Sequence, residues 1–281
     1  MTTPFELELP PWRVLRHILR ATSDLSEPMR IQVVPADTDP IPILEGPYFL
    51  ANIGSEDTNP LLLELRFAAT DHGFSIALLM TNERYPIDLN VIATEFLRRL
   101  QALDIAFDGV IGPESLGPKL SQEIARLKGD HTPHTTLQKG KPRADADGNV
   151  TVAAPKAWIS DESGVAVSSG TSHPAAQQKL YIDPLVAQKF AELPNGVLLV
   201  DDARLSSGTV SSSIELLNNM NIKIAAVATV LNEHDPVEQI DSIPYIWLTK
   251  LPIFDRVEGG WQPRSGSFQG LENFFIEVQR G

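Results

Sequence analysis

The chain contains no cysteine. That excludes disulfides, thiolate nucleophiles and cysteine zinc sites together, and it fits the expectation of a cytoplasmic protein. No apolar run approaches the roughly 18 residues that a membrane-spanning helix takes, so no membrane partner is expected. The opening residues, MTTPFELELPPW, lack the basic start and apolar block of a secretory signal, and none is expected. Positive charge is scarce: 23 Lys and Arg stand against 36 Asp and Glu, a formal net charge of −13. Such a surface repels phosphate backbones, so no nucleic-acid partner is expected. The patterns G-x-x-x-x-G-K-[ST], G-x-G-x-x-G after a strand and G-x-S-x-G are all missing. The P-loop, dinucleotide and serine-hydrolase readings therefore have no support.

What is present is an alternation of strands and helices. The 281 residues suit one large domain or a domain with an added lobe. Residues 10–22 read as a short helix opened by proline, with Trp12, Leu15, Ile18 and Leu19 on one face. The runs IQVV, IPIL, YFLANI and LLLELRFAA, within residues 31–69, are punctuated by proline and glycine and predict a small set of strands. From about residue 74 the texture changes. FSIALLMT predicts a strand, and residues 88–103 an amphipathic helix with Asp88 as N-cap. FDGVIGP then reads as a buried strand and residues 117–128 as a helix. Residues 130–172 read as a long polar loop or loose hairpin. The strand LYID, the helix PLVAQKFAEL, the strand VLLV, a helix over 209–220 and the strand IAAVATVL complete the pattern. This predicts an α/β fold, a parallel sheet flanked by helices. The expected division is residues 1–70 as an N-terminal lobe and 71–281 as the α/β domain.

One segment runs against the acidic balance. From Lys119 to Arg143 there are six Lys or Arg against Glu123 and Asp130. It reads either as a site for a small anion or as a solvated face. His131 and His134 lie in it as H-x-x-H, a spacing that needs further ligands before it holds a metal.

The most informative segment is VLLVDDARLSSGTV, residues 197–210. Four apolar residues run into Asp201 and Asp202, and a short loop leads to a helix opened by Thr209. Ligands of parallel sheets bind at the carboxyl ends of strands. Ser206, Ser207, Gly208 and Thr209 are small enough for backbone N–H groups to close around a phosphate, and the helix N-terminus adds partial positive charge. Two carboxylates beside a phosphate suit sugar hydroxyls as partners.

This segment resembles the phosphoribosyl pyrophosphate (PRPP) signature of type I phosphoribosyltransferases: four apolar residues, two acids, three variable residues and a Thr-Gly-Gly-Thr type run, here Ser-Ser-Gly-Thr. The resemblance implies that Asp201 and Asp202 hold the ribose hydroxyls, and that Leu205, Ser206, Ser207, Gly208 and Thr209 cradle the 5′-phosphate. FDGVIGPESLGPKL is similar to the pyrophosphate loop of the adenine-type enzymes, with Gly112, Glu114, Ser115 and Gly117 in place and Leu116 where a basic residue is usual. TTLQKGKPR, residues 135–143, resembles the start of the family's catalytic flap, which gives Lys139 and Lys141 a catalytic role and Arg143 a pyrophosphate contact. SSGTSHPAAQQKLYID, residues 168–183, resembles its return limb, without the usual glutamate. Leu205 stands where 6-oxopurine enzymes often carry aspartate, and so favours an adenine-type acceptor. YIWLTKLPIFDRVEGGW, residues 245–261, resembles the closing segment of adenine-type enzymes, and Trp247, Phe254 or Trp261 is either a base-stacking residue or core.

The resemblance covers roughly residues 74–260. It implies a type I phosphoribosyltransferase-like α/β domain with a small hood, a PRPP and nucleobase substrate pair, Mg²⁺ held mainly by PRPP, and a homodimer. The expected activity is transfer of the 5-phosphoribosyl group to a purine with release of pyrophosphate. The alternative, motivated by Leu116, the missing flap glutamate and residues 1–70, is a catalytically degenerate PRPP-binding regulator.

Overall fold

The computed structural model describes residues 33–35, 48–52, 62–69, 74–78, 89–114, 116–129, 131–144, 150–153, 165–167, 178–204, 208–233, 237–250, 254–257, 260–263 and 274–277. The predicted helix over 10–22, the run IPIL and the cap at Asp88 lie outside them. In chain order the strands are β1 (Val33–Pro35), β2 (Tyr48–Asn52), β3 (Leu62–Ala69), β4 (Phe74–Leu78), β5 (Gly109–Pro113), β6 (His134–Lys139), β7 (Lys141–Ala144), β8 (Val150–Ala153) and β9 (Val165–Val167). They continue as β10 (Gln178–Tyr181), β11 (Val197–Arg204), β12 (Ile224–Asn232), β13 (Gln239–Ile240), β14 (Ile243–Lys250), β15 (Phe254–Val257), β16 (Gly260–Pro263) and β17 (Phe274–Glu277). The helices, numbered here α1 to α4, are Leu89–Ala102, Gly117–Lys128, Pro184–Ala191 and Gly208–Asn219.

The chain falls into two compact units, Met1–Ile87 with Thr249–Gly281, and Asp88–Leu248. The division expected at residue 70 keeps Thr249–Gly281 with the α/β domain, whereas these residues cluster with Met1–Ile87. The first unit holds a sheet in the order β16-β15-β4-β3-β2-β17, with β1 parallel to β3. It is drawn from both parts of the chain: β15 pairs with β4 and β17 with β2, both antiparallel.

The second unit holds an eight-stranded sheet, β13-β14-β12-β11-β5-β6-β10-β9. Its centre is parallel, β12 to β11, β11 to β5 and β5 to β6, whereas β10 pairs antiparallel with β6 and β9 antiparallel with β10. This is the predicted parallel sheet with antiparallel additions. Central strands of such a sheet are covered on both faces and read as unbroken apolar runs. VLLV obeys this, with Val197, Leu198, Leu199 and Val200 all buried. Successive side chains alternate between faces. Val197, Leu199 and Ile111 pack with Val210, Ile214 and Leu217 of α4, while α2 packs against β5, β6 and β11. Each fully buried aliphatic side chain contributes about 1.5–3 kcal/mol relative to exposure.

Residues 130–172, expected as a polar loop or loose hairpin, contain β6 to β9. β7 and β8 form a separate antiparallel hairpin. The threonines and Leu137 of β6 suit a pleated, half-buried strand, and only Leu137 is fully buried in it.

The helices follow local rules. In α1, Ile92, Ala93, Phe96 and Leu100 bury one face. Glu95 sits between Arg98 and Arg99, accepting hydrogen bonds at 2.8–2.9 Å. Burial pushes its carboxyl up, but the two guanidiniums outweigh that and hold it below the ordinary value. Arg99 also donates to the carbonyl of Trp247 at 2.6 Å, tying α1 to β14. Asp183 caps α3, accepting from the N–H groups of Leu185 and Val186, with Pro184 in the first turn.

Candidate functional site

Strand order marks a switch point. From β5 the chain passes through α2 to β6 on one side. It later returns through α3 to β11 on the other side of β5, and then through α4 to β12. The connections leaving β5 and β11 therefore diverge. In open parallel sheets the ligand crevice lies outside the carboxyl ends of the strands at such a switch point. The carboxyl ends here carry Glu114 after β5, Lys139 at the end of β6 and Asp201, Asp202 and Arg204 on β11.

Asp201 continues the buried run of β11 and is only 5% exposed. Its carboxylate accepts the N–H of Asp202 at 2.9 Å, and the Asp202 carboxylate accepts the N–H of Ala203 at 2.9 Å. Burial, then the adjacent Asp202 carboxylate, push the pKa of Asp201 well above the ordinary carboxylate value; the charge of Lys139 pulls it down without prevailing. Asp202 is half-buried. The pair thus sits at the end of the central strand, one acid deep and one open.

Glu114 is bound into the sheet. Its N–H donates to the carbonyl of Leu137, and its Oε2 accepts the N–H of Lys139 at 3.0 Å. The turn after β5 and the end of β6 are thereby fixed to each other. The turn is tight: a Cβ on Gly112 would overlap the carbonyl of Gly117, and one on Gly117 would overlap Gly112. Only glycine permits that approach at both positions. Leu116 is 1% exposed and belongs to the core at the start of α2. Its side chain offers no charge to a ligand. The neighbouring Lys119 is exposed.

Of the other residues singled out in the sequence, Gly208 is buried and opens α4 one residue before Thr209, which is half-buried. Leu205, Ser206, Ser207 and Ser115 lie outside the described residues. Lys141 and Arg143 are on β7. The basic run divides. Arg126 pairs with Glu123 at 2.7 Å on an exposed helical turn, Lys128 lies 4.9 Å from the centre of the Phe107 ring, and Lys139 faces Asp201 electrostatically. His131 and His134 are exposed, and among the described residues no three His, Asp or Glu side chains gather to hold a metal. Trp247 packs against the core. Phe254 and Trp261 are on β15 and β16.

A cluster the sequence reading did not single out adjoins Asp201. Thr229 on β12 is the Cα partner of Asp201. Its hydroxyl donates to the carbonyl of Leu231 at 3.0 Å, so the Tyr245 hydroxyl, 2.6 Å away, donates to it. Burial pushes Tyr245 up to about 12, partly offset by the bond to Thr229 and by Arg204. The guanidinium of Arg204 lies over the Tyr245 ring, 5.2 Å from its centre.

The second unit is thus an α/β domain with an acidic pair on its central strand β11, beside the carboxyl end of β5. The chain is similar in structure to the adenine phosphoribosyltransferase of Trypanosoma brucei solved with AMP, pyrophosphate and ribose-5-phosphate. There the identity is 14% over 72% of this chain and 76% of that one, with a TM-score of 0.42. It is similar also to the adenine phosphoribosyltransferase of Giardia lamblia complexed with 9-deazaadenine (16%, 66% and 93%, TM-score 0.44). A third is the adenine phosphoribosyltransferase of Rhodothermus marinus (14%, 66% and 94%, TM-score 0.45). No family model and no curated protein sequence matches the chain. Among the described residues no helix is long and apolar enough to cross a membrane.

Proposed function

We propose that the chain binds PRPP at the carboxyl ends of β5 and β11 and transfers its 5-phosphoribosyl group to a nucleobase nitrogen, releasing pyrophosphate. The observation that carries this reading is the Asp201–Asp202 pair in the last half of the central strand, six residues before the N-terminus of α4 at Gly208. A helix N-terminus suits the 5′-phosphate, and the two acids suit the ribose hydroxyls. Leu205, Ser206, Ser207, Gly208 and Thr209 form the phosphate cradle in this reading. Glu114, Ser115, Leu116 and Gly117 form the pyrophosphate turn, with backbone groups replacing the absent cation at Leu116. Lys139 and Lys141 stabilise the reacting centre and Arg143 meets the pyrophosphate.

The ring nitrogen's lone pair forms the bond to the anomeric carbon, the bond to pyrophosphate breaks with its electron pair leaving on oxygen, and the ring N–H proton is released. The protein contributes positioning and preorganised charge. Asp201 and Asp202 supply two carboxylates where a resident metal needs more protein ligands, which fits Mg²⁺ arriving on PRPP itself. Bound there, the ion would neutralise charge on the leaving pyrophosphate. A cytoplasmic homodimer completes the reading, and sedimentation at micromolar concentration tests its oligomeric part.

The second reading, a PRPP-binding regulator without turnover, is favoured by one observation: Leu116 is buried in the core where the resemblance calls for a cation. One assay separates the two. PRPP and Mg²⁺ are mixed with the protein and a panel of nucleobases, and pyrophosphate is followed. Release with at least one base is expected. PRPP binding by calorimetry with no release from any base would leave the regulator, and no PRPP binding at all would remove both.

A further inference from the structure

We infer that Arg204 determines which acceptor the site takes, and that the acceptor presents an anionic or oxo oxygen rather than an exocyclic amine; the inference rests on the phosphoribosyl reading above. Arg204 is the last residue of β11, three positions after Asp201 and four before Gly208, where α4 begins. Its guanidinium reaches past β12 to Tyr245 on β14 and lies over that ring. The ring contact and a hydrogen bond to the Tyr245 hydroxyl restrain the guanidinium. Its Nη1 is fully buried and has no hydrogen-bond partner among the described residues. Buried polar groups are nearly always satisfied, and a guanidinium N–H left unmade is costly. A guanidinium pre-oriented in this way is the standard recognition group for paired oxygens.

Position says which part of the substrate it meets. Tyr245, Thr229 and Asp201 form one continuous cluster, so Arg204 borders the acid pair assigned to the ribose. The turn assigned to pyrophosphate follows β5, on one side of β11, and Arg204 reaches to the opposite side, over β12 and β14. A displacement at the anomeric carbon brings the acceptor in opposite the departing pyrophosphate. The acceptor therefore enters from the side on which Arg204 lies. A carboxylate or ring oxo oxygen accepts from Nη1 as a charged or strong acceptor, whereas adenine offers only its weaker ring nitrogens, its exocyclic amine being a donor.

The test is product binding by calorimetry, which works whether or not the chain turns over. Ribose 5-phosphate, AMP and orotidine 5′-monophosphate are titrated into the full chain and into Arg204→Met, with Arg204→Lys as a second variant and circular dichroism confirming each fold. The native chain is expected to bind orotidine 5′-monophosphate at least tenfold more tightly than AMP. Arg204→Met should abolish that preference and leave ribose 5-phosphate within twofold. AMP binding as tightly as orotidine 5′-monophosphate to the native chain overturns the assignment alone, with no variant needed. An unchanged preference in a folded Arg204→Met does the same. If ribose 5-phosphate itself does not bind, the phosphoribosyl reading fails and this inference falls with it.

Discussion

Glu114 holds Lys139 in place: the carboxylate that follows β5 accepts the backbone N–H at the end of β6 at 3.0 Å. One residue expected to touch pyrophosphate thus positions another expected to act on the reacting centre. Removing the carboxylate in Glu114→Ala should free the end of β6 and raise the KM for PRPP about threefold to tenfold, since a charge-assisted bond contributes roughly 1.5 kcal/mol. Glu114→Gln keeps an acceptor oxygen and should stay within about twofold. Pyrophosphate release at varied PRPP decides it. Equal KM values for Glu114→Ala and the native chain would remove the positioning role.

The acid pair gives the most direct test of the site. Replacing both Asp201 and Asp202 with Asn keeps size and removes both charges. PRPP binding should weaken at least tenfold, about 1.4 kcal/mol, as read by calorimetry on a folded double variant. Binding at native strength would sink the ribose assignment.

Much of this could be read from local sequence. VLLV announced a central strand because a strand covered on both faces has no polar side to show, and α2 appears over the predicted residues 117–128. What could not be read depends on residues far apart in the chain. Nothing local in FFIE or FDRV says that β17 pairs with β2 and β15 with β4. Glu114 was visible as part of a turn, but its bond to Lys139 arises only once β5 and β6 lie side by side. Arg204 stood in the variable stretch of the motif. Its importance emerges when Tyr245, on a strand beyond β12, is found beneath it.

Burial of Asp201 has a cost with a definite sign in pH. Its folded pKa is raised above the ordinary 3.8, so between those two values the folded state binds more protons than the unfolded one. Stability from this group is fully present below about pH 3.8 and is lost as pH rises through the folded value. Asp201→Asn removes the penalty. The variant should melt higher than the native chain at pH 8, with the difference shrinking toward pH 4, by thermal denaturation across that range. A difference that is constant or grows toward acid would contradict the raised pKa.

Tyr245→Phe tests the hydroxyl. It donates to Thr229, which itself remains bonded to Leu231, and it also meets the Arg204 guanidinium. The cost should be about 1 kcal/mol, a fall in melting temperature of roughly 2–4 °C for a chain of this size. The ring beneath Arg204 is retained. An unchanged melting temperature would remove the stabilising role of the hydroxyl.

Lys139 couples the end of β6 to the acid pair through charge. It pulls the pKa of Asp201 down against burial and the Asp202 carboxylate. Ribose hydroxyls donate, so the ionised carboxylate is the form that holds them most strongly. Activity should therefore rise with pH as Asp201 loses its proton. Lys139→Gln removes the opposing charge, so Asp201 keeps its proton to higher pH and the acid limb of the kcat/KM profile for PRPP should move upward. The same variant should lower kcat at the plateau if the ammonium also faces the departing charge. A reduced plateau with an unmoved acid limb would separate the two effects, leaving Lys139 a role at the reacting centre and removing its control over Asp201.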